Sequence, residues 1–293
     1  MKNIYRQHKV NWLFIGPALF LYLLWVVVPT IRGFYYSFTN FDGLSSPQWV
    51  GLDNFIAISQ DTQLFLTALR NNLILMIIPA LLIITISLFF AFLLHRDIHG
   101  KHVFRIIFYL PNTVSIVTIS LLFMLLYSPS SFGILNSILK YFGRQEPISF
   151  TISANVIWAA IPIVLWGAIG FNTLLYLAAM ERIPKTFYEA IVMDGGKKRH
   201  VFWHITIPFI WEILVISFIF LIIGGLRIFE PIWLLESQAF KPESATIAVL
   251  MYNSILSEYR VGYGTAVGVI LFLITMIAVL LMRFLTKRES LEY

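Results

Sequence analysis

Six long apolar runs, separated by polar segments of unequal length, dominate the pattern of the chain. They cover residues 10–31, 73–94, 106–127, 152–180, 209–229 and 261–282. A transmembrane helix needs about 20 predominantly apolar residues, so each run is long enough to cross a bilayer. The fifth run contains Glu212 and Arg227, but both lie close enough to its ends to reach the headgroup region. The pattern therefore predicts an all-α integral membrane protein of six transmembrane helices, forming one domain over residues 1–293.

Composition points to the same class. The 293 residues are 59% hydrophobic and only 12% charged, with a mean hydropathy of +0.82. Soluble domains are nearer half apolar and about a quarter charged. The net charge of +6 would suggest nucleic acid for a soluble protein. Here the basic residues cluster in short loops, so we expect the chain to contact membrane lipid and to bind no nucleic acid. The absence of cysteine excludes disulfides and cysteine-bound metals.

The distribution of Lys and Arg predicts the orientation. The N-terminal segment, the connection between runs two and three, the connection between runs four and five and the C-terminal tail carry roughly twice as many as the other loops. Positive charge accumulates on the cytosolic side of a membrane. We therefore expect both termini in the cytosol. The connections at residues 32–72, 128–151 and 230–260 are then the long extracytoplasmic loops.

A charged, glycine-broken stretch lies between the fourth and fifth runs and reads EAIVMDGGKKRHVFWHITIP over residues 189–208. Pro184 suits the start of a helix, and Ile183, Phe187 and Ile191 form one apolar stripe along it. Gly195 and Gly196 are expected to end that helix. A second short apolar face, formed by Val201, Phe202 and Ile205, is expected to end at Pro208. We call this predicted helix-turn-helix unit the elbow (residues 184–208).

The elbow resembles the EAA loop of binding-protein-dependent ABC importer permeases. The residues that match in identity and spacing are Glu189, Ala190, Asp194, Gly195, Phe202, Ile205 and Pro208. The resemblance implies a cytosolic coupling helix that sits in a groove of a separate ATPase. Glu189, Ala190, Asp194, Gly195, Phe202 and Pro208 would then be the ATPase-coupling residues. The chain departs from the family pattern at Ile191 and Gly196, where alanine is usual.

The same resemblance implies the partners and the solute. They are a second permease subunit, expected to be a related chain, two ATPase subunits and an extracytoplasmic solute-binding protein. Segments similar to sugar-importer permeases are WVGLDNF at 49–55, YLPN at 109–112, SFGILN at 131–136 and GLRIFE at 225–230. They imply a carbohydrate solute and a bacterial or archaeal inner or plasma membrane. Residues 236–242 read ESQAFKP, where many members have a glycine-rich TGGGP.

The sequence favours no chemistry of its own. No GxxxxGK[ST] motif is present, so ATP hydrolysis is expected on another chain, and we expect no catalytic residue, cofactor or metal. His200 and His204 are spaced i, i+4, and His95, His99 and His102 lie close together, but neither group has the carboxylate partners of a metal site. Two alternatives are a six-span ion channel, suggested by VGYG at 261–264, and an intramembrane enzyme. Arg260 directly before VGYG argues against a cation filter.

One face of the fourth run is a candidate wall of the solute pathway. At 100° per residue, one narrow arc holds Asn155, Trp158, Pro162, Trp166, Thr173 and Tyr176. Aromatic faces stack on the C–H face of a sugar while polar groups bond its hydroxyls. The alternative is that Trp158 and Tyr176 are interfacial belt residues and that Asn155 is a polar packing residue. Trp166, near the middle of the run, is explained least well by that alternative.

Overall fold

The computed structural model describes residues 14–95, 100–129, 133–144, 146–152 and 154–287, and within them no β-strand is present beyond an isolated bridge between Thr39 and Trp49. The predicted residues 10–13, His99 and 131–132 lie outside this described part. The helices are α1 (Phe14–Tyr36), α2 (Asp53–Gln60), α3 (Thr62–Leu94), α4 (Lys101–Tyr109), α5 (Ile116–Tyr127), α6 (Ile134–Tyr141), α7 (Ala154–Met180), α8 (Lys185–Met193), α9 (Lys198–Val201), α10 (Ile207–Phe209), α11 (Trp211–Leu226), α12 (Glu230–Leu235), α13 (Ile247–Leu256) and α14 (Val261–Leu285). The chain is all-helical in this part.

Among the described residues, five helical segments are long and apolar enough to cross a membrane: α1, α3, α7, α14 and the segment Trp211–Leu235. The predicted third span at 106–127 is broken into two helices. Lys101–Thr113 and Ile116–Tyr127 meet at 91°, and they make a sixth span only if this bent pair is counted as one. Pro111 begins a 3-10 turn here, and Val114 is extended with φ −87° and ψ 136°. Proline lacks the N–H that would continue a regular helix, so Pro111 favours a change of conformation near this point.

The connections predicted as long loops contain helices. α2 and the first turns of α3 lie within 32–72, α6 lies within 128–151, and α12 and α13 lie within 230–260. α3 extends eleven residues before the predicted start at residue 73. Its added turns carry two asparagines, Asn71 and Asn72, that are buried and hydrogen-bonded. Hydropathy alone does not detect these helical turns because their buried faces are polar.

The chain divides into two compact units. The first comprises the described residues up to Thr62 together with Leu250–Ile270. In it the Asn54 amide donates to the carbonyl oxygens of Ser37 and Thr39, and the Phe38 ring stacks on Trp49 at 5.3 Å. The start of α14 packs closely against this region, since a Cβ on Gly262 would lie 2.0 Å from the Thr39 carbonyl oxygen. The VGYG segment is therefore a packed helical turn.

The second unit comprises Gln63–Val249 and the described residues from Leu271 onward. Within it, side-chain amides of α3 hold the segment from Gly225 to Ile247 against that helix. Asn72 donates to the carbonyl oxygens of Gly225 and Leu226 and accepts from the Ile247 N–H at 2.8 Å. Close backbone packing requires glycine at 225, where a Cβ would lie 2.5 Å from the Met76 Cα. The neighbouring Gly224 has open space around its Cβ position.

The segment where the sequence departs from TGGGP is a strained turn. Ser237 and Gln238 have positive φ of 56° and 61°, which side chains disfavour. Glu236 before them is buried, accepts a hydrogen bond from the Ser244 hydroxyl and forms an ion pair with Lys241. This turn therefore holds two non-glycine residues in the conformation that glycine accepts most readily.

An ion-pair group joins the start of α4 to the end of α7. The carboxylate of Glu181 accepts from the Lys101 ammonium at 2.8 Å and is also paired with Arg105. Partial burial alone would raise the pKa of Glu181, but the hydrogen bond and charge of Lys101, with those of Arg105, outweigh it and lower that pKa. The carboxylate is therefore ionised at neutral pH.

Candidate coupling elbow and solute cavities

The first arm of the elbow, α8, ends in a glycine turn. Gly195 has φ +74°, and the Gly196 N–H donates to the Ile191 carbonyl oxygen at 2.8 Å. This 6→1 hydrogen bond after a residue with positive φ is the Schellman motif. A Cβ on Gly196 would lie 2.6 Å from the same carbonyl oxygen, whereas one on Gly195 would meet nothing within 4 Å. The turn therefore favours glycine at 195 because of the positive φ, and at 196 because a side chain would not fit.

The second arm is less regular than predicted. α9 is followed by a π-helical turn at Phe202–Thr206 and then by α10. The prediction that Pro208 ends the unit is wrong, since Pro208 lies in the first turn of α10. The break comes at Ile210, with φ −96° and ψ 9°, where α11 begins. Proline is tolerated in a first helical turn because its N–H is not needed there.

An apolar cluster holds the elbow against the membrane helices of this unit. Ile183, Ile205 and Ile210 are buried in it, and Tyr188 and Ile191 pack at its edge. Aromatic pairs add to it. Phe187 meets Phe209 edge-on at 4.7 Å, and Phe202 meets Phe92 of α3 at 5.2 Å. Both arms are thus packed against the spans by one face.

The predicted coupling residues fall into two groups. Glu189, Ala190, Asp194 and Gly195 are exposed, while Phe202 and Pro208 are half-buried. The backbone N–H of Asp194 donates to the Ala190 carbonyl oxygen at 3.1 Å. An exposed acidic and small-residue face thus projects from a packed unit.

The elbow also carries a basic surface. Lys197, Lys198 and Arg199 are exposed at the start of α9, and the Lys197 N–H donates to Nδ1 of His200 at 3.0 Å. The rings of His200 and His204 lie 6.1 Å apart. Among the described residues no group of three His, Asp or Glu side chains is placed to hold a metal ion.

The structure separates the residues predicted on the solute-facing arc of α7. Asn155, Trp158 and Trp166 are exposed, the two tryptophans by 56% and 43%. Thr173 and Tyr176 are fully buried. The Tyr176 hydroxyl lies 2.6 Å from the Ser217 hydroxyl, which donates to Asn172 Oδ1. The arc is open in its first half and packed against α11 in its second half.

Two cavities lie beside α7 on opposite faces. The first, which we call the aromatic cavity, has a volume of about 550 Å³ and includes Phe123, Tyr127, Phe150, Asn155, Trp158 and Pro162 in its wall. The second, the glycine cavity, has about 410 Å³ and includes Ala168, Phe220, Gly224, Gly225, Arg227 and Glu230. Both volumes fall in the range of small-molecule sites. Trp166 is outside both walls, with its ring 5.7 Å from Phe123.

The sequence analysis missed a buried polar group at the elbow. The ring centroids of Tyr188, on α8, and His95 lie 5.5 Å apart. The hydroxyls of Tyr188 and of Thr206, in the π-helical turn, are both buried. Burial raises the pKa of Tyr188, and the smaller effect of Thr206 opposes it, so the phenol stays protonated at neutral pH. In the sequence, the position of Tyr188 beside the apolar stripe of α8 could have indicated that this side chain is partly buried.

Residues 83–290 match the protein family described as binding-protein-dependent transport system inner membrane component. Three curated proteins are similar over most of their length. An arabinooligosaccharides transport system permease protein of Halalkalibacterium halodurans is 28% identical, over 96% of this chain and 88% of its own. A probable ABC transporter permease of Pyrococcus horikoshii is 32% identical over 92% of both chains. A polygalacturonan/rhamnogalacturonan transport system permease protein of Bacillus subtilis is 30% identical, over 98% and 90%.

Two solved structures share the fold. One is a bacterial ABC transporter involved in the import of the acidic polysaccharide alginate, with a TM-score of 0.83, 23% identity and coverage of 97% of this chain and 98% of that one. The other is an alginate ABC transporter in complex with its pentasaccharide-bound periplasmic protein, with a TM-score of 0.84, 23% identity and coverage of 98% and 96%. The chain therefore belongs to the binding-protein-dependent transport system inner membrane components, the permease subunits of ABC importers, which are transport components and not enzymes.

Proposed function

We propose that this chain is one of two permease subunits of an ATP-driven importer for an oligosaccharide or a related carbohydrate. An extracytoplasmic binding protein delivers the solute, and two separate ATPase subunits supply the energy. The second permease is a related chain, and both termini of this one lie in the cytosol. The chain acts as one permease domain over residues 1–293 of a bacterial or archaeal inner or plasma membrane.

The elbow is the observation that carries the proposal. Its apolar side is packed into the spans, while its other side exposes Glu189, Ala190 and Asp194 beside a defined glycine turn. A small residue such as Ala190 allows close approach of a partner groove. The geometry suits a rigid projection that transmits motion from an ATPase to the spans. The basic residues at the start of α9 offer complementary charge to an acidic partner surface.

The carbohydrate assignment rests on the relatives, since two of the three named above are transport system permeases for arabinooligosaccharides and for polygalacturonan or rhamnogalacturonan by their names. The aromatic cavity offers a matching surface. Trp158 and Phe123 present ring faces, and Asn155 adds a polar group whose amide donates to the Ser149 carbonyl oxygen at 3.1 Å.

Reconstitution of the complete importer in proteoliposomes tests the function. The chain is combined with its partner permease, ATPase subunits and binding protein, and uptake of radiolabelled oligosaccharides is measured with ATP and with ADP. We expect uptake only with ATP and only with the loaded binding protein. Uptake that needs no ATPase subunit, or ATP hydrolysis by the isolated chain, contradicts the proposal.

Substitutions in the elbow and near the two cavities are tested in the same uptake assay. Asp194→Arg is expected to abolish uptake and binding-protein-stimulated ATP hydrolysis while membrane insertion and binding-protein docking persist. Trp158→Ala and Trp166→Ala are expected to weaken uptake if the aromatic face contacts sugar. Gly224→Leu places a side chain in the glycine cavity without backbone collision. Loss of transport in this variant alone assigns the pathway to the glycine cavity.

Membership of the permease family argues against the two alternatives that the sequence left open, an ion channel and an intramembrane enzyme. Steady ion currents through bilayers containing the purified chain alone would indicate the channel. Turnover of a substrate by the isolated chain without nucleotide would indicate the enzyme.

A further inference from the structure

The wall of the aromatic cavity offers rings and aliphatic carbon but few hydrogen-bonding groups. Apart from the indole N–H of Trp158, only Tyr127 and Asn155 among its lining residues carry polar side-chain atoms. The Tyr127 hydroxyl donates to the Ala159 carbonyl oxygen at 2.8 Å, and the Asn155 amide donates to the Ser149 carbonyl oxygen at 3.1 Å. Both groups therefore already have partners within the protein.

The wall is also held in place by contacts among its own residues and with a neighbour. The Phe150 ring stacks on Tyr127 with 5.1 Å between the centroids, and Phe123 meets Tyr127 edge-on at 5.6 Å. The buried Asn136 side chain accepts from the Ile148 N–H at 2.8 Å and donates to the Ile148 carbonyl oxygen at 3.0 Å. A wall that is already ordered keeps the entropic cost of binding low.

This wall suits the apolar parts of a sugar. A hydroxyl that enters the cavity without a new hydrogen bond loses the bonds that it made to water, whereas a methyl or C–H group loses none. Aromatic rings provide large apolar contact surfaces for such groups. Asn155 and Trp158, which are both exposed, can still bond one hydroxyl through the amide oxygen or the indole N–H. The cavity therefore favours a methyl group over a hydroxymethyl group.

The glycine cavity has a different chemistry. Its wall includes Arg227 and Glu230, which are both exposed and whose charged groups can bond several hydroxyls at once. A sugar that is polar on all sides is matched better by that wall. The aromatic cavity is instead matched by a ligand that presents an apolar group.

We propose that the aromatic cavity is a binding site for a 6-deoxy sugar ring, a hexose whose C6 is a methyl group in place of hydroxymethyl. The methyl group and the adjoining C–H face lie against Trp158 and Phe123, and one ring hydroxyl donates to Asn155 Oδ1. The cavity adjoins the first turns of α7, at the extracytoplasmic end in the proposed orientation, so the sugar reaches it from outside. This inference rests on the proposed function, and it names the class of sugar that the importer prefers.

Methyl β-D-quinovoside and methyl β-D-glucoside test the proposal, because they differ only in the methyl or hydroxymethyl group at C6. Saturation-transfer NMR is recorded for each with the assembled importer in nanodiscs, without the binding protein, so that only sites on the importer are observed. We expect the quinovoside to bind at least about fivefold more tightly, because the buried hydroxyl of the glucoside lacks a partner. Its C6 methyl protons should receive the strongest saturation. Trp158→Ala should abolish the preference, whereas Trp158→Phe, which keeps a ring, should retain most of it.

The controls separate this site from other effects. Trp158 is 56% exposed, so its truncation should leave the thermal unfolding temperature of the complex unchanged. Trp25→Ala, at a 73% exposed tryptophan of α1, is the matched control and should keep the preference. Equal binding of the two glycosides, saturation of neither, or loss of binding in Gly224→Leu but not in Trp158→Ala overturns the proposal. Failure of the complete wild-type importer to take up any oligosaccharide would instead contradict the proposed function itself.

Discussion

Substitution of Gly195 tests whether the elbow works as a rigid projection. The residue has φ +74°, and a Cβ there would meet nothing within 4 Å, so the cost of a side chain comes from backbone conformation alone. For alanine in the left-handed region this cost is about 1–2 kcal/mol. Asparagine tolerates that region better, and proline cannot adopt it because its ring fixes φ near −65°.

We therefore expect a graded series in transport. A penalty of about 1–2 kcal/mol lowers the population of the formed turn by roughly five- to thirtyfold relative to alternatives. Gly195→Asn should be close to wild type, Gly195→Ala should lose several-fold in uptake, and Gly195→Pro should abolish it. Binding-protein-stimulated ATP hydrolysis should fall or become uncoupled in the same order. The measurement is uptake together with ATP hydrolysis in proteoliposomes, at matched levels of assembled complex.

The chain provides a matched control in Gly143. It ends α6 by the same motif, with φ +93° and the Arg144 N–H donating to the Leu139 carbonyl oxygen at 3.0 Å. Its Cβ would also meet nothing within 4 Å. Gly143→Ala carries the same backbone cost away from the elbow and should leave the coupling ratio unchanged. If Gly195→Pro keeps wild-type uptake and hydrolysis, a fixed turn at 195 is not needed for coupling and the reasoning is wrong.

Three further outcomes concern stability, measured by thermal unfolding of the purified complex. Gly225→Ala should destabilise it by about 1–3 kcal/mol through backbone collision, whereas Gly224→Ala, in open space, should cost less than about 1 kcal/mol. Ser237→Gly and Gln238→Gly should each stabilise by about 1 kcal/mol by relieving a positive φ; no stabilisation contradicts the strain. Because the pKa of Glu181 is lowered, its contribution is present above its unfolded pKa near 4.5 and is lost as pH falls through the lower folded pKa. Glu181→Gln should therefore destabilise slightly at pH 7, by less than about 1 kcal/mol, and cause no further loss in acid.

The long helices could be predicted because each depends on one property, a sufficient length of apolar sequence. The four spans at α1, α3, α7 and α14 follow the predicted runs, with ends that differ where polar turns continue a helix. The bent pair at Lys101–Thr113 and Ile116–Tyr127 was missed because hydropathy does not register direction. Pro111 was visible in the sequence, but a proline inside an apolar run gives either a kink or a break, and neighbouring contacts decide which.

The candidate solute face shows a different limit. A helical wheel treats one arc as one environment along the whole helix. In α7 that arc is exposed at Trp158 and Trp166 but buried at Thr173 and Tyr176, where α11 crosses it. A single sequence contains the angle between residues on a helix, but not the point at which another helix comes into contact.

Within about twenty residues, the elbow contains one feature that local sequence predicts and one that depends on contacts with other elements. Gly195 was predictable because a helix end needs positive φ and glycine accepts it, a requirement local to a few residues. The packing of Tyr188 was not predictable, because its ring meets His95, directly after α3, and the placement of α8 depends on the apolar cluster that also holds Ile205 and Ile210. Tyr188 lies beside an apolar stripe, but a helical wheel gives no reason for its hydroxyl to be buried. That burial depends on elements distant in the sequence, and the spacing of residues on one helix does not contain their positions.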